Sequence, residues 1–171
     1  MKRNNFWKAK RVLLTGHTGF KGAWLTLFLH EFGAEVHGIS LQPSTEPNLY
    51  TIANIAALMA SDFHFDIGHL HKLKQAFVTI QPEIVFHLAA QPLVPFSYEF
   101  PVETYATNVM GTVNVLEAIR HCDSVQAAVI ITTDKCYENS ESLHAYQEHN
   151  RLGGSDPYSN SKACAELVSN A

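Results

Sequence analysis

The stretch Arg11–Gly33, "RVLLTGHTGFKGAWLTLFLHEFG", decides the fold of this chain. Its first residues form a short apolar run that predicts a buried strand, and the residues from Gly22 to Gly33 have helical spacing. Gly16, Gly19 and Gly22 lie directly after the strand and at the start of the helix. Glycines at such a turn let the backbone approach a pyrophosphate, to which the helix start offers free amides. The stretch therefore predicts a dinucleotide site, with a plain tight turn as the alternative.

Strand-like runs alternate with helical patterns along the rest of the chain. The predicted strands are 34–41, 57–65, 83–90 and 127–133, and the predicted helices are 70–80, 101–122 and 156–171. Residues 43–50 form a predicted Pro-rich loop, and Asp156 and Pro157 suit the start of the last helix. This alternation predicts the α/β class, with a doubly wound, open parallel sheet. Such sheets bind ligands outside the carboxyl ends of their strands.

Composition narrows the classes of function. The 171 residues suit one domain, 1–171, and the net charge of -4 gives no reason to expect nucleic acid or an anionic membrane as partner. No apolar run approaches the ~20 residues of a membrane span. Three cysteines without C-x-x-C spacing favour free thiols in a reducing cytoplasm. The ten histidines form no ligand motif, so no metal site is expected.

The spacing G-x-x-G-x-x-G in "TGHTGFKG" resembles the extended branch of the short-chain dehydrogenase/reductase superfamily. The resemblance implies a Rossmann-type fold with NAD as cofactor. The cofactor-binding residues that it implies, besides Tyr158 and Lys162 below, are Gly16, Thr18, Gly19, Phe20, Lys21, Gly22, Ser40, Asp66, Ile67, Leu88, Ala89 and Ala90. Ser40 stands where an acidic residue often holds the ribose hydroxyls, and no Arg stands there for a 2′-phosphate. NAD is expected, and NADP is left open.

Tyr158 and Lys162 are four residues apart, hence on one face of the last predicted helix. A nearby ammonium lowers the pKa of a phenol from ~10, so that the tyrosine can accept a proton from a sugar hydroxyl. In the superfamily that Y-x-x-x-K resembles, a Ser or Thr at the preceding strand end completes a triad. Thr133 is the expected third member and Thr132 the less favoured one. An ordinary surface pair is the alternative.

Asp134 and Lys135 place an acid and a base together at the same strand end. The phrases "TTDKCYEN" and "GGSDPYSNSKACAEL" resemble the sugar-nucleotide 4,6-dehydratases, in particular the type that acts on CDP-glucose. This implies that Asp134 is the acid at C6, Lys135 the base at C5 and Gln91 a substrate contact. A lysine that acts as base must be neutral part of the time, so burial or a cationic neighbour is expected at Lys135. The alternative is a solvated turn.

The resemblance also carries expectations about the whole protein. Enzymes of the extended branch are longer, so the chain is expected to be an N-terminal part without its C-terminal substrate region. The intact protein is expected to be a homodimer through the helices at 101–122 and 157–171. Two other functions stay open: an epimerase or reductase of the same branch, which the Asp134–Lys135 pair disfavours, and a nucleotide-binding fragment without turnover.

Overall fold

A five-stranded parallel sheet with helices on both faces organises the described part of the chain, which in this computed structural model is residues 5–139 and 145–171. The strands are β1 Arg11–Thr15, β2 Glu35–Ser40, β3 Ser61–His64, β4 Ile84–His87 and β5 Ala127–Ile130. The helices are α1 Phe20–Glu31, α2 Leu49–Ile52, α3 Leu70–Ile80, α4 Val94–Glu99, α5 Pro101–Tyr105, α6 Gly111–Arg120 and α7 Pro157–Asn170. Short 3₁₀ turns occur at Asn5–Trp7, Ile55–Leu58 and Asp134–Cys136. The predicted fold class is confirmed.

The strand order β3-β2-β1-β4-β5 fixes where a ligand can bind. Val12 of β1 lies opposite Val36 of β2 on one side and Ile84 of β4 on the other, so β1 is central. The chain runs outward from β1 to β3 and then returns to the opposite side of β1 for β4. The order therefore reverses between β1 and β4, and the crevice at the carboxyl ends of these two strands is the expected binding position.

Alternation along the strands builds one core on each face of the sheet. Leu13 of β1 packs toward α3 and α6, where it joins Phe77 and Val115. Its neighbours Val12 and Leu14 face the opposite side, which α1 covers. Successive side chains of a strand point to opposite faces, so a strand buried on both faces is apolar throughout. Each fully buried side chain of this kind contributes about 1.5–3 kcal/mol to stability.

The helix predicted over 101–122 is interrupted. A π-helical turn, Ala106–Met110, lies between α5 and α6. Within it Asn108 is buried and bonded to other segments, and just after it a Cβ on Gly111 would lie 2.5 Å from Ile67 Cδ1. A π-helical turn contains one residue more than an α-helical turn, and this difference is too small to change the apolar pattern of the sequence. The sequence therefore predicted an unbroken helix.

Two short helices were not predicted from the sequence. Asn48 begins α2 inside the segment expected to be a loop, because its side chain accepts a hydrogen bond from the Thr51 amide at 2.8 Å. Pro95 lies in the first turn of α4, a position at which proline does not break a helix. Among the described residues, no helix has both the length and the apolar character that crossing a bilayer requires.

A buried histidine connects the central strands to the interrupted helix. His87 Nε2 lies 3.1 Å from Thr112 Oγ1, and Thr112 donates its own proton to the Asn108 carbonyl at 2.7 Å. Nε2 must therefore carry the ring proton, and Nδ1 accepts from the Thr15 hydroxyl at 2.6 Å. Thr15 Oγ1 in turn accepts from the Ala89 amide at 3.1 Å. Burial lowers the pKa of His87 to about 4, with the nearby Lys162 ammonium acting in the same direction.

The pH dependence of folding should report this histidine. Between pH 6.5 and about 4 the unfolded chain binds a proton on His87 that the folded chain excludes, so stability falls as pH falls through this window. One such group contributes about 3 kcal/mol over the whole interval. In His87→Asn, the slope of the unfolding free energy against pH at pH 5 should correspond to about one proton fewer.

The surface variant His71→Asn provides the control and should keep the wild-type slope, because His71 is exposed. Denaturant titrations at a series of pH values measure both slopes. Equal slopes for His87→Asn and the wild type would show that His87 is not held neutral.

Candidate dinucleotide site and catalytic residues

A cavity of about 710 Å³ lies at the carboxyl ends of β1 and β4, where the strand order reverses. Every residue predicted to bind the cofactor lines it. These residues are Gly16, Thr18, Gly19, Phe20, Lys21, Gly22, Ser40, Asp66, Ile67, Leu88, Ala89, Ala90, Tyr158 and Lys162. The structure thus brings together residues from five separate segments of the sequence. Their role as cofactor ligands remains a prediction, now with a common location.

The glycine loop is shaped by two close approaches of backbone to backbone. Gly16 has a positive φ of 78°, and a Cβ there would lie 2.7 Å from the Ala89 amide nitrogen. A Cβ on Gly22 would lie 2.2 Å from the Gly16 carbonyl oxygen. Side chains are therefore excluded at both positions. The α1 helix starts beside the cavity with no side chain capping its first amides, which leaves them available to an anion.

The end of β2 forms a neutral wall of the cavity. Thr18 donates its hydroxyl proton to the Leu41 carbonyl at 2.9 Å, so the contact of 2.7 Å between Thr18 and Ser40 is a hydrogen bond that Ser40 donates. Ser40 is buried and ties the glycine loop to β2. Residues 41–45 and 47–49 also line the cavity, and none of them is charged. Residues 41–45 and 47–49 were not predicted from the sequence to line the cavity, although their position after the carboxyl end of β2 is a usable signal.

Lys162 is buried beside the cavity on α7. The Asp156 side chain caps this helix by accepting from the Ser159 amide at 2.9 Å. Lys162 Nζ donates to the Ile131 carbonyl at 3.1 Å. Burial lowers the pKa of Lys162 to about 8, and the neighbouring Lys21 ammonium adds to this effect. The amine therefore remains mostly protonated at pH 7 and supplies a positive charge.

Tyr158 lines the same cavity one helical turn before Lys162. Its backbone amide lies 3.1 Å from Ser97 Oγ of α4, which fixes the start of α7 against that helix. The structure thus places the phenol and the ammonium of the predicted pair on one wall. Tyr158 and Lys162 therefore lie on one helix and line one cavity. Their role in proton transfer stays a prediction.

The two threonines at the end of β5 differ in their surroundings. Thr132 lines the cavity and donates its hydroxyl to Glu166 Oε1. Thr133, the expected triad member, lies one residue beyond the cavity wall, where its hydroxyl donates to Asp134 Oδ1 at 3.1 Å. Thr133 also caps the 3₁₀ turn that follows, because Oγ1 accepts from the Lys135 amide at 3.4 Å.

Asp134 and Lys135 form that 3₁₀ turn, and both are exposed. The burial expected for Lys135 is therefore not found. The turn follows the β5 end directly, and only Cys136 points into the protein. The pair lies next to the cavity wall rather than within it.

Gln91 has a structural role that the sequence did not indicate. Its backbone amide donates to Asn108 Oδ1 at 2.8 Å, and its side-chain amide donates to Thr104 Oγ1 at 2.9 Å and to the Leu93 carbonyl at 3.1 Å. Asn108 Nδ2 donates to the Gln91 carbonyl at 3.1 Å and to Ser161 Oγ at 2.9 Å. Gln91 thus connects the β4 loop to the π-helical turn, and its predicted contact with substrate remains untested. Asn108 was missed because its position depends on the π-helical turn.

The segment 140–154 lies between the Asp134–Lys135 turn and α7. Residues 140–144 lie outside the described part of the chain. In the remainder, the Gly153 amide donates to the Cys136 carbonyl at 2.8 Å and Tyr137 pairs with Leu152, which holds residues 152 and 153 against the 3₁₀ turn.

The family is decided by comparison with known sequences. The sequence model of the family described as GDP-mannose 4,6 dehydratase matches residues 13–171. The chain belongs to this family. A curated relative, the CDP-glucose 4,6-dehydratase of Salmonella typhimurium, is 54% identical to it over 98% of this chain and 46% of its own length. The resemblance to sugar-nucleotide 4,6-dehydratases is therefore confirmed, and the chain spans about half the length of the curated relative.

Solved structures agree with the fold. An epimerase from Methanothermobacter thermautotrophicus superposes with a TM-score of 0.82 at 26% identity, over 99% of this chain and 49% of that chain. The UDP-glucose 4-epimerase of Brucella ovis, solved in complex with NAD, gives a TM-score of 0.79 at 25% identity, over 94% of this chain and 46% of that chain.

Filling the glycine loop should impair dinucleotide binding. We expect Gly22→Ala to weaken NAD binding about 10-fold or more, because the new Cβ would overlap the Gly16 carbonyl and displace the loop. Gly153→Ala is the matched control, since its Cβ would have no neighbour closer than 3.7 Å. Calorimetric titration measures both affinities, and thermal unfolding shows whether each variant is folded. A folded Gly22→Ala protein with wild-type affinity for NAD would contradict the assignment of the glycine loop as the dinucleotide site.

Proposed function

We propose that the protein carrying this chain is an NAD-dependent sugar-nucleotide 4,6-dehydratase that acts on CDP-glucose. The observation that carries the proposal is the placement of two functional pairs at one sheet edge. Tyr158 and Lys162 line the cavity of the glycine loop, and Asp134 and Lys135 follow the strand whose end lines the same cavity. The 54% identity to a CDP-glucose 4,6-dehydratase supports the same reaction and the same nucleotide.

The residues of the cavity fit NAD. The backbone of the glycine loop leaves no room for a side chain where the pyrophosphate would approach, and Lys21 adds a positive charge at the start of α1. The neutral wall after β2 holds no cation for a 2′-phosphate, which favours NAD over NADP. Bound NAD would supply the acceptor for the hydride from C4 of the hexose and the donor of the hydride to C6.

Tyr158 acts as the base of the oxidation. The Lys162 ammonium, positively charged at neutral pH although its pKa is lowered to about 8, stabilises the phenolate. Tyr158 then accepts the C4 hydroxyl proton while the C4–H bond breaks. A threonine at the β5 end holds the reacting oxygen by a hydrogen bond. Thr133 is the proposed residue, and Thr132 lies in the cavity wall beside it.

Asp134 and Lys135 carry the elimination. The ketone formed at C4 makes the C5 proton acidic, and the neutral Lys135 amine accepts that proton. The C6–O bond then breaks, and the protonated form of the Asp134 carboxyl gives its proton to the departing hydroxyl, which leaves as water. The proton held by Lys135 returns to C5 when hydride reaches C6. Lys135 is exposed, so a bound substrate can reach its amine directly.

An epimerase or reductase of the same fold is the second candidate, because the solved neighbours include epimerases. Such enzymes need the Tyr158–Lys162 pair and no second proton-transfer pair. The Asp134–Lys135 turn therefore favours the dehydratase. A nucleotide-binding module without turnover is the third candidate. Incubation of the whole protein with CDP-glucose and NAD separates the three by yielding a 4-keto-6-deoxy sugar, an epimer or no product.

Removing the Lys135 amine should separate oxidation from elimination. In Lys135→Met, oxidation at C4 should survive, because Tyr158 and Lys162 are unchanged, whereas water loss should slow about 100-fold or more. Reduced cofactor should then accumulate at 340 nm together with the 4-keto hexose. Solvent deuterium should no longer enter C5.

Two further variants make this result interpretable. Tyr158→Phe should form no reduced cofactor, because it removes the first base. Lys8→Met removes an exposed lysine near the N-terminus and should behave as the wild type. If Lys135→Met eliminates water at the wild-type rate, the turn is a solvated strand end and the proposed role is wrong.

An apolar surface on neighbouring helices supports the proposed homodimer. Val102 of α5, Met110 of the π-helical turn and Leu167 of α7 are 76%, 54% and 59% exposed. α7 packs against α5, the π-helical turn and α6, so these side chains belong to adjoining helices. Burial of such side chains against a second copy would remove their apolar area from water.

Charge on this surface should disrupt the dimer. We expect Met110→Glu to shift the whole protein toward monomer in sedimentation at micromolar concentration, because it would bury an unpaired carboxylate. Val78→Glu introduces the same charge at a 67% exposed valine of α3 and should leave the dimer intact. A wild-type protein that sediments as a monomer would contradict the proposed assembly.

A further inference from the structure

A second group of polar side chains lies beneath the glycine loop, outside the cavity. His17, between Gly16 and Thr18, is fully buried and packs against Gly38 of β2, where a Cβ would lie 2.4 Å from His17 Nδ1. Its Nε2 lies 2.8 Å from Asp62 Oδ1 on β3. The glycine loop is therefore connected to β3 through a side chain that does not line the dinucleotide cavity.

Two further residues complete this group, which we call the His17 cluster: His17, Tyr50, Asp62 and His64. His64 Nε2 lies 3.1 Å from the same oxygen, Asp62 Oδ1. The Tyr50 hydroxyl donates to the other oxygen, Asp62 Oδ2. The donor atoms of His17, Asp62 and His64 all lie within 4.8 Å of one another. One carboxylate oxygen thus faces two imidazole nitrogens while the other is held by the tyrosine.

We propose that His17 Nε2, Asp62 Oδ1 and His64 Nε2 bind one divalent transition-metal ion such as zinc, with water completing the coordination. Bonds of about 2.0–2.1 Å in a tetrahedral site separate the donor atoms by about 3.3 Å. The two oxygen–nitrogen separations of 2.8 and 3.1 Å need to widen by only a few tenths of an ångström. Two imidazoles and one carboxylate favour zinc, cobalt or nickel over magnesium or calcium.

The unpaired nitrogen of His17 favours metal over a plain hydrogen-bond network. If Nε2 carries its proton toward Asp62, then neutral Nδ1 presents a lone pair, and it has no hydrogen-bond partner among residues 5–139 and 145–171. The Ile39 carbonyl is the backbone group that acts on this ring. With metal at Nε2, the ring proton would lie on Nδ1, so that this nitrogen would no longer present an unpaired lone pair.

The accessibility of the cluster suits a ligand set. Asp62 and His64 are partly accessible, with side chains 19% and 26% exposed, which leaves a path for the ion and room for water.

The sequence predicted no metal site because its ten histidines form no ligand motif. The ligands come from the glycine loop and from β3, 45 residues apart in the chain for His17 and Asp62, so no short motif joins them. A bound ion would clamp the glycine loop to β3 and, through Tyr50, to α2. These segments flank the neutral wall after β2.

The direct test is a cobalt titration of the chain freed of metal with a chelator and carrying no histidine tag. We expect one Co²⁺ per chain, with visible absorption bands of a low-coordinate ion that added Zn²⁺ abolishes. His64→Ala and Asp62→Asn should each weaken binding by at least about 10-fold. Even the replacement of a residue that only hydrogen-bonds to a metal ligand weakens metal binding by that much. His71→Ala removes an exposed histidine of α3 and should bind as the wild type.

Thermal unfolding gives a second measurement. Saturating Zn²⁺ should raise the Tm of the wild type and of His71→Ala equally, and should raise that of His64→Ala by a smaller amount, because an ion that binds only the folded chain stabilises it according to its affinity. His64 is partly exposed, so its replacement preserves the fold. If no Co²⁺ binds at millimolar concentration, or if His64→Ala and Asp62→Asn bind as tightly as the wild type, the cluster is a hydrogen-bond network and the proposal is wrong.

Discussion

The contact between the glycine loop and the end of β4 is the constraint on which the rest of the structure depends. At Gly16 the backbone passes so close to Ala89 that a Cβ would lie 2.7 Å from its amide nitrogen, and a Cβ at Gly22 would lie 2.2 Å from the Gly16 carbonyl oxygen. Both contacts require that a side chain be absent. They draw the start of α1 and the end of β4 to the two sides of one crevice, and every other element of the site is placed relative to that crevice.

Buried polar contacts, rather than apolar packing alone, fix the far wall of the crevice. The chain of hydrogen bonds through His87 runs in one direction, from the Ala89 amide to the Asn108 carbonyl, because each hydroxyl has only one proton to give. Asn108 continues the connection to Gln91 and to Ser161 on α7. The helix that carries Tyr158 and Lys162 is thereby held in register with the loop after β4. A buried network of this kind specifies one arrangement, since a partly satisfied alternative is costly.

The sequence was sufficient wherever the structure follows from local spacing. The strand, glycine turn and helix of residues 11–33, the capped helix at 157 and the parallel alternation all appear as expected. It was insufficient wherever a position depends on distant partners. The π-helical turn, the wall after β2 and the His17 cluster combine residues that no periodicity relates. Lys135 shows the limit most clearly, because a strand end can be read from the sequence whereas its exposure cannot.

The two lysines at this sheet edge differ in burial, and the difference bears on the two proton transfers proposed there. Lys162 is buried and bonded to the Ile131 carbonyl, and its pKa near 8 leaves it charged at neutral pH, which suits a group that stabilises a phenolate. Lys135 is exposed on a capped turn and carries no such fixed partner among the described residues. A charge in surroundings that exclude water acts more strongly on a neighbouring phenol than the same charge would in water, whereas an exposed amine can be reached by a bound substrate. The difference in burial between the two amines therefore matches the two different roles proposed for them.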